Sequence, residues 1–233
     1  MPSQLLQHAT NRPWMMRQRW EHLLFMHQPA SKQLLKLNLP PMLELDTFDG
    51  EAWIGIIPFQ VSDWRLRGMP AIPYLKSYLE VNVRTYVKHQ GVSGVYFFSL
   101  DANLLPAVIG ARTFSLPYHY ADMELTKESG RFSYFSHRKN KSFGNFEGNY
   151  RPVSEFYYPD EGTLVHWFVE RYILWTIKGR SLLRGDIHHK RWKISNAEAN
   201  IKTNTLTLFA AGNDWQLHYA SPREALLWAL RKV

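Results

Sequence analysis

The stretch Leu79-Glu80-Val81-Asn82-Val83-Arg84-Thr85-Tyr86-Val87 alternates apolar and polar side chains along most of its length. Side chains of a β-strand point to opposite faces in turn. The valines are therefore predicted on one face, and Glu80, Asn82, Arg84 and Tyr86 on the other. Such a period of two is typical of a β-strand rather than a helix.

Strand patterns continue on both sides of this stretch. Asp49-Gly50 is a strong hairpin signal. The other predicted strands cover 43–46, 52–58, 94–100, 107–116, 123–126, 131–137, 145–150, 193–198, 205–210 and 216–219, with a turn at 212–214. Short strands separated by turn residues predict a mainly β (α+β) domain, built as a large antiparallel barrel or sandwich.

Three helices are predicted outside this pattern. Ser31 is a suitable N-cap for a helix over 32–37, and Thr163 for one over 164–175. Ser221 begins a cap, proline and glutamate signature that predicts a last helix ending near Leu230. Few and short, these helices are expected at the periphery of the sheet.

Length and composition limit the class of protein. A chain of 233 residues predicts one domain over 1–233. The sequence has no cysteine, which excludes disulfides and thiolate sites. Neither a signal peptide nor an apolar run long enough for a bilayer is present, so a soluble, cytoplasmic protein without membrane contact is expected.

The chain is basic, with a net charge of +8 and a pI near 9.6. This charge has two interpretations, an acidic partner such as nucleic acid or a generally basic surface. Lysine and arginine are spread along the sequence, which favours the second interpretation.

The polar face of the 79–87 strand also has two interpretations. In the first, Arg84 clamps a carboxylate and Glu80 orients that arginine or carries a proton, with Asn82 between them. In the second, the face is solvated and holds an ordinary cross-strand ion pair. The alternation by itself favours the second interpretation, a solvated face. The 95–100 stretch is apolar on both faces and should lie centrally beside this strand.

Other chemistry receives little support from the sequence. The ten histidines include no His-Glu-x-x-His or similar spacing, so neither a metal site nor a cofactor is predicted. The 131–141 segment mixes rings with cations, a combination that can hold single-stranded nucleic acid. A hairpin with a basic, solvated tip explains the same segment more simply, because no nucleic-acid-binding motif accompanies it.

Several runs of the sequence carry a family resemblance: Trp20 with 23–27, 45–55, 58–59, 80–87, 94–102, 111–112, 116–118, 170–172 and 189–192, which extend over nearly the whole chain. They resemble the YqjF-like proteins, an uncharacterised branch of the acetoacetate decarboxylase superfamily. The resemblance implies a large, antiparallel, barrel-like fold, without implying a known reaction.

In acetoacetate decarboxylase a lysine forms a Schiff base, a neighbouring lysine tunes it, and a glutamate belongs to the same site. Glu80 resembles that glutamate, and the 114–119 segment resembles the lysine strand, with Tyr118 and His119 at the two lysine positions. Neither side chain is a primary amine, so neither can form an imine. Lys76 and Lys88 flank the Glu80 strand but do not match the catalytic position.

We therefore expect a barrel cavity that binds a small organic molecule bearing a carboxylate or carbonyl, lined by Glu80, Asn82, Arg84, Tyr118 and His119. One alternative is an enzyme of altered chemistry, a lyase or hydrolase acting on a keto acid or lactone, with His119 as base. Another is nucleic-acid binding through 131–141. The sequence favours no particular ligand, catalytic residue or oligomeric state.

Overall fold

Strands dominate the part of the chain that the computed structural model describes, which is residues 12–70, 77–139, 141–209 and 214–233. The strands are β1 (Met16–Glu21), β2 (Leu23–Pro29), β3 (Glu44–Leu45), β4 (Trp53–Leu66), β5 (Tyr78–His89), β6 (Val92–Ala102), β7 (Tyr118–Glu128), β8 (Arg131–Arg138), β9 (Asn145–Pro152), β10 (Ile173–Lys178), β11 (Ser181–His189), β12 (Ile194–Asn204), β13 (Gln216–Ala220), β14 (Arg223–Leu227) and β15 (Arg231–Lys232). The helices are α1 (Lys32–Asn38), α2 (Leu105–Thr113) and α3 (Leu164–Val169).

The predicted 79–87 strand lies within β5, between β4 and β6. It pairs antiparallel with β4 from Tyr78 to Thr85 and with β6 from Glu80 to His89. Because both edges are hydrogen-bonded along most of its length, β5 is an interior strand and its register is fixed from two sides.

The sheet closes into two circuits that share β4, β5 and β6. The first runs from β6 through β7, β8, β9, β12, β13 and β2 back to β4. The second runs from β6 through β10, β11, β14 and β1 back to β4. The mainly β, barrel-like fold is therefore confirmed. Pairing is antiparallel except where β6 meets β7 and β10 in parallel.

The two faces of β5 bury different clusters. Tyr78 and Tyr86 belong to a cluster with Phe25, Phe59 and residues of α3. The side chains between them on the opposite face, including Val81 and Val83, pack against a second cluster beneath β8 and β9. Each circuit thus supplies apolar cover for one face of the shared strand.

The prediction of a strand over 107–116 is wrong, because α2 occupies most of that range. Pro106 lies in the first turn of α2, where backbone N–H groups have no acceptor within the helix, so its lack of an N–H costs no helical hydrogen bond. Only Val108 of this helix is buried. A short apolar run carries no clear period, so alternation could not distinguish the two structures.

Two predicted helices also differ from the structure. The 164–175 helix ends at Val169, and the chain continues into β10, which forms a hairpin with β11. The predicted carboxyl-terminal helix is β14, paired with both β1 and β11. Two neighbouring strands satisfy its backbone groups, and these pairings outweigh a local capping signature. No helix among the described ranges is long and apolar enough to cross a membrane.

Several local predictions agree with the structure, and others do not. Ser31 caps α1 as expected, accepting a hydrogen bond from the Leu34 amide. Asp49 and Gly50 both have positive φ in a tight turn closed by Phe48 and Glu51. Residues 205–209 form no strand, and part of the predicted 212–214 turn lies outside the described residues.

We expect Gly94→Ala to destabilise the junction of the second circuit. A Cβ at Gly94 would lie 2.7 Å from the Ile173 carbonyl oxygen and from the Trp175 indole, where β6 meets β10. Overpacking of this kind costs about 1–3 kcal/mol of unfolding free energy, measurable by urea denaturation.

Gly110→Ala is the matched control. Gly110 is exposed on α2 and has open space around it. Alanine should raise the unfolding free energy by about 0.5–1 kcal/mol through helix propensity. If the two substitutions changed the unfolding free energy equally, the close approach at Gly94 would be contradicted.

Candidate functional site

The polar face of β5 is buried rather than solvated. Glu80 and Asn82 are each 5% exposed, and Arg84 is half-buried. Across β4, Phe59 stands directly opposite Glu80, and Gly55 opposite Arg84. The interpretation of this row as a solvated face is therefore wrong.

Glu80 meets Tyr118 across the junction of β5, β6 and β7. The parallel pairing of β6 with β7 brings Tyr118 opposite Leu100, and the Tyr118 hydroxyl donates to Glu80 Oε2 over 2.8 Å. We call Glu80, Asn82, Arg84 and Tyr118 the Glu80 cluster.

Burial raises the pKa of the Glu80 carboxyl to about 7. Hydrogen bonds from Tyr118 and Asn82 oppose that rise, and the negative charge of Asp101 adds to it. Removing a carboxylate from water disfavours its charged form, which is why burial dominates. Glu80 can therefore gain or lose a proton near neutral pH.

Phenols surround Glu80 and keep their protons. Burial raises the pKa of Tyr118 and of Tyr78 well above the ordinary value, and the nearby Glu80 charge adds to both shifts. The Tyr134 hydroxyl donates to the Glu80 backbone carbonyl over 2.8 Å. Tyr118 and Tyr134 thus act as hydrogen-bond donors, which hold the carboxyl and the backbone carbonyl of Glu80 in place.

Asn82 and Arg84 carry unused hydrogen-bonding atoms. Arg84 Nη2 donates to the Phe168 carbonyl over 3.2 Å, and its guanidinium lies over the rings of Phe25 and Tyr86 at 5.6 and 5.8 Å. The buried Arg84 Nε and Asn82 Oδ1 have no partner among the described residues. Buried polar atoms are normally paired, so each unpaired atom marks a position where a ligand or water can bind.

An aromatic wall of Trp20, Phe25, Phe59 and Trp192 borders the Glu80 cluster. Trp20 stacks on Trp192 with ring centres 6.0 Å apart, and Phe25 meets Trp192 edge-on at 5.3 Å. Trp20 also contacts Phe59 at 6.1 Å. Apolar walls with a few convergent polar groups are typical of small-molecule sites.

His27 is a further polar group near Arg84, which sequence reasoning did not identify. It is fully buried, its Nε2 lies 2.7 Å from the Tyr86 hydroxyl, and its Nδ1 has no partner among the described residues. Burial lowers the pKa of His27 well below the ordinary value, and Arg84 and His218 add to that effect. The imidazole is therefore neutral at physiological pH.

Gly55 is what allows His27 to lie there. A Cβ at residue 55 would meet the His27 ring at 3.0 Å. A glycine within an otherwise apolar strand can mark such a close approach. Gly55 was therefore the feature of the sequence that could have indicated the buried position of His27.

His119 is separated from Tyr118 by strand alternation. Tyr118 packs with the apolar cluster beside Glu80, whereas His119 lines a cavity among basic side chains. Burial lowers the pKa of His119 to about 4, with further lowering by Arg138, Lys141 and Arg112. The structure therefore brings together four of the five predicted site residues and places His119 apart from them.

Lys88, the flanking lysine that the structure describes, does not join the Glu80 cluster. Lys88 Nζ contacts Asp46 Oδ1 at 2.8 Å, and Asp46 also binds the buried Arg171. Lys76 lies outside the described residues. Among the residues that are described, no group of three or more His, Asp or Glu side chains is arranged to hold a metal ion.

The 131–141 segment is not a row of free rings and cations. Phe132 and Tyr134 are buried, and Arg131 pairs with Glu198. Arg138 is buried against Asp101. This arrangement leaves Phe135 as the exposed ring of β8, which is little for nucleobases to stack on.

Structural comparison finds the same architecture in several solved enzymes. An enduracididine biosynthesis enzyme, MppR, solved in complex with pyruvate, superposes with a TM-score of 0.68 at 10% identity, covering 95% of this chain and 91% of that one. An acetoacetate decarboxylase-like enzyme from Sphingomonas wittichii RW1 gives 0.66 at 10% identity, covering 95% and 94%. An acetoacetate decarboxylase from Legionella pneumophila gives 0.61 at 14% identity, covering 93% and 86%. At these identities the likeness concerns the fold.

Sequence comparison gives a nearer relationship. The protein YqjF of Bacillus subtilis (strain 168), described as uncharacterized, is 44% identical over 224 residues, covering 94% of this chain and 93% of YqjF. A family model described as "uncharacterized conserved protein" matches residues 17–229. The chain therefore belongs to the DUF2071 family of uncharacterized conserved proteins, which has the acetoacetate decarboxylase-like fold.

Proposed function

We propose that the Glu80 cluster binds a small organic molecule that bears a carboxylate or a carbonyl. The observation that carries this proposal is the buried Glu80–Tyr118 pair, in which the pKa of the carboxyl is raised to about 7. Perturbed acids beside convergent polar groups are more frequent at functional sites than elsewhere.

Each member of the cluster has a distinct part in this proposal. Arg84 supplies the positive charge for a carboxylate, and its unpartnered Nε is a free donor. Protonated Glu80 or the Tyr118 hydroxyl donates to a carbonyl oxygen. Asn82 adds a neutral amide between them. The aromatic wall keeps water away, which strengthens these hydrogen bonds.

The ligand should be small. Two cavities among the described residues, of about 320 and 230 Å3, lie away from this cluster, on the outer face of the β7–β8–β9–β12 strands and beside His119. Glu80 and Asn82 are each only 5% exposed, which favours a ligand of few heavy atoms. The binding of pyruvate by MppR, a protein of the same fold, supports a short keto acid as the class to test.

A second candidate function is catalysis on such a molecule by a lyase or hydrolase. The pKa of Glu80 favours this candidate, because an acid–base catalyst works best when its pKa lies near the working pH. Glu80 would then be the proton carrier. His119 is less suited to that part, because it lies on the other side of β7 and its pKa is lowered to about 4.

Replacing Arg84 tests the anion clamp. In Arg84→Gln, the affinity for pyruvate, or for the best member of a panel of short keto acids, should fall about tenfold or more, because a charge-assisted hydrogen bond is lost. Isothermal titration calorimetry measures the change. Arg180→Gln, at an exposed turn, is the matched control and should alter affinity less than about twofold. Saturable binding by none of the panel would contradict the proposal.

Replacing Glu80 tests its protonation. Folded Glu80 holds its proton more tightly than the unfolded chain, with a pKa of about 7 against 4.5. The resulting stabilisation is complete below about pH 4.5 and is lost as pH rises through about 7. Glutamine cannot ionise and still accepts a hydrogen bond from Tyr118. Relative to the wild type, Glu80→Gln should therefore gain up to about 3 kcal/mol of unfolding free energy between these pH values.

Urea denaturation at about pH 5 and about pH 8 measures this gain. The matched control is Glu161→Gln, at an exposed carboxylate, which should show no such pH-dependent gain. A Glu80→Gln variant whose advantage is the same at both pH values would show that Glu80 ionises normally.

Imine chemistry is tested separately. Because Tyr118 and His119 stand at the two matched lysine positions, we expect no stable lysine adduct when the protein is treated with acetoacetate or pyruvate and sodium borohydride. Intact-mass spectrometry should give the unmodified mass. A single reduced adduct on one lysine would restore the Schiff-base mechanism.

A further inference from the structure

A basic cavity lies beside His119, at the start of β7. It has a volume of about 230 Å3 and is lined by Arg112, His119, Tyr120, Arg138, Lys139 and Lys141. These residues come from α2, the start of β7 and the end of β8 with the segment that follows. Side chains from three separate parts of the chain thus converge on one concave surface.

The cations of this cavity outnumber the carboxylates that contact them. Arg138 pairs with Asp101 at 2.8 Å, and Lys139 pairs with Asp122 at 3.0 Å. Arg112 donates to the Tyr118 carbonyl at 2.8 Å, and neither Arg112 nor Lys141 has a carboxylate within 4.0 Å among the described residues. The cavity is therefore positively charged.

Arg138 supplies the cavity with a buried hydrogen-bond donor that Asp101 holds in place. The residue is 4% exposed, its Nε spans both carboxylate oxygens of Asp101, and its Nη2 has no hydrogen-bond partner within the described ranges. Gly144 allows this placement, because a Cβ there would lie 2.3 Å from Arg138 Cδ. Gly144 also has a φ of +89°, which other residues rarely adopt.

His119 is a neutral member of the same cavity. Burial lowers the pKa of its imidazole to about 4, and the charges of Arg138, Lys141 and Arg112 lower it further. At neutral pH the ring therefore adds a hydrogen-bonding group without adding charge. Its pKa also responds to any anion that binds among these cations, since an opposite charge favours the protonated form.

We propose that this basic cavity is an anion site that takes the phosphate group of a small molecule. Arg112 and Lys141, the two cations that contact no carboxylate among the described residues, match a dianion better than they match a singly charged carboxylate. Phosphate also has enough acceptor oxygens for several donors at once, and the planar guanidinium groups of Arg112 and Arg138 match its geometry.

A small phosphate suits the site better than a nucleic acid does. The donors converge inside a concave cavity, whereas single strands need an extended groove with exposed rings. Apart from His119, the ring that lines the cavity is Tyr120, and Lys139 Nζ already lies over it, 5.0 Å from its centre. This proposal does not depend on the Glu80 cluster, because the cavity and the cluster have no side chain in common.

Titration of the intact protein with inorganic phosphate tests the site. The reporter is the His119 imidazole proton resonance, identified by its loss in His119→Asn and followed at constant ionic strength with chloride as the balancing anion. We expect a saturable shift and a rise in the His119 pKa when phosphate is bound. Lys141→Gln should weaken phosphate binding about tenfold.

The matched control is Lys36→Gln, which removes the same charge from exposed α1 and should change the affinity less than about twofold. Arg112→Gln should weaken binding as Lys141→Gln does, and circular dichroism checks that each variant is folded.

The proposal is overturned if the His119 shift stays linear in phosphate, or if Lys36→Gln weakens binding as much as Lys141→Gln. It is also overturned if a short oligonucleotide binds at this cavity while inorganic phosphate does not.

Discussion

The structure depends on one constraint: β5 is hydrogen-bonded along most of both edges while its two faces bury different apolar clusters. A strand in this position cannot slip by one residue without exchanging every side chain between the two clusters. Val81 and Val83 would then enter the face that holds Glu80 and Arg84. The register of β5 thus determines which polar groups meet the aromatic wall.

The same constraint sets the electrostatics of the Glu80 cluster. A carboxylate on an outer strand would meet water and ionise normally. Glu80 instead lies beside Phe59 in the interior of the sheet, so its ionised form loses hydration, and the hydrogen bonds from Tyr118 and Asn82 compensate for only part of that loss. Burial of charge of this kind weakens a fold unless the group is paired or protonated. The ionised form of Glu80 therefore has a cost in stability.

Much of the fold follows from local sequence patterns, and the exceptions have two physical causes. Alternation in β5 predicted the correct partition of its faces, and Asp49-Gly50 predicted the correct turn. The 107–116 prediction failed because a short apolar run has no clear period, whereas the Ser221 cap failed because the structure of that segment is determined by distant strands. β14 exists since β1 and β11 flank it, and neither partner is near it in sequence.

The same limit applies to the site. Glu80, Asn82 and Arg84 share a face because they share a strand, which alternation predicts. Tyr118 joins them only through the parallel pairing of β6 with β7, and for that residue the family resemblance supplied the link. His27 and the aromatic wall come from other strands and, for Trp192, from the segment between β11 and β12. The sequence pattern held no sign of them beyond the small residue Gly55.

Two neighbouring residues of the 114–119 segment, which resembles the lysine strand of acetoacetate decarboxylase, have different surroundings in this protein. Tyr118 and His119 are adjacent in sequence but point to opposite sides of β7, one toward the Glu80 carboxyl and the other toward the basic cavity. Asp101, on β6 beside His119, connects the two environments. It accepts from Arg138 on the side of the cavity, and its charge contributes to the raised pKa of Glu80 on the other. The degree to which Arg138 neutralises Asp101 is therefore part of what sets the protonation of Glu80.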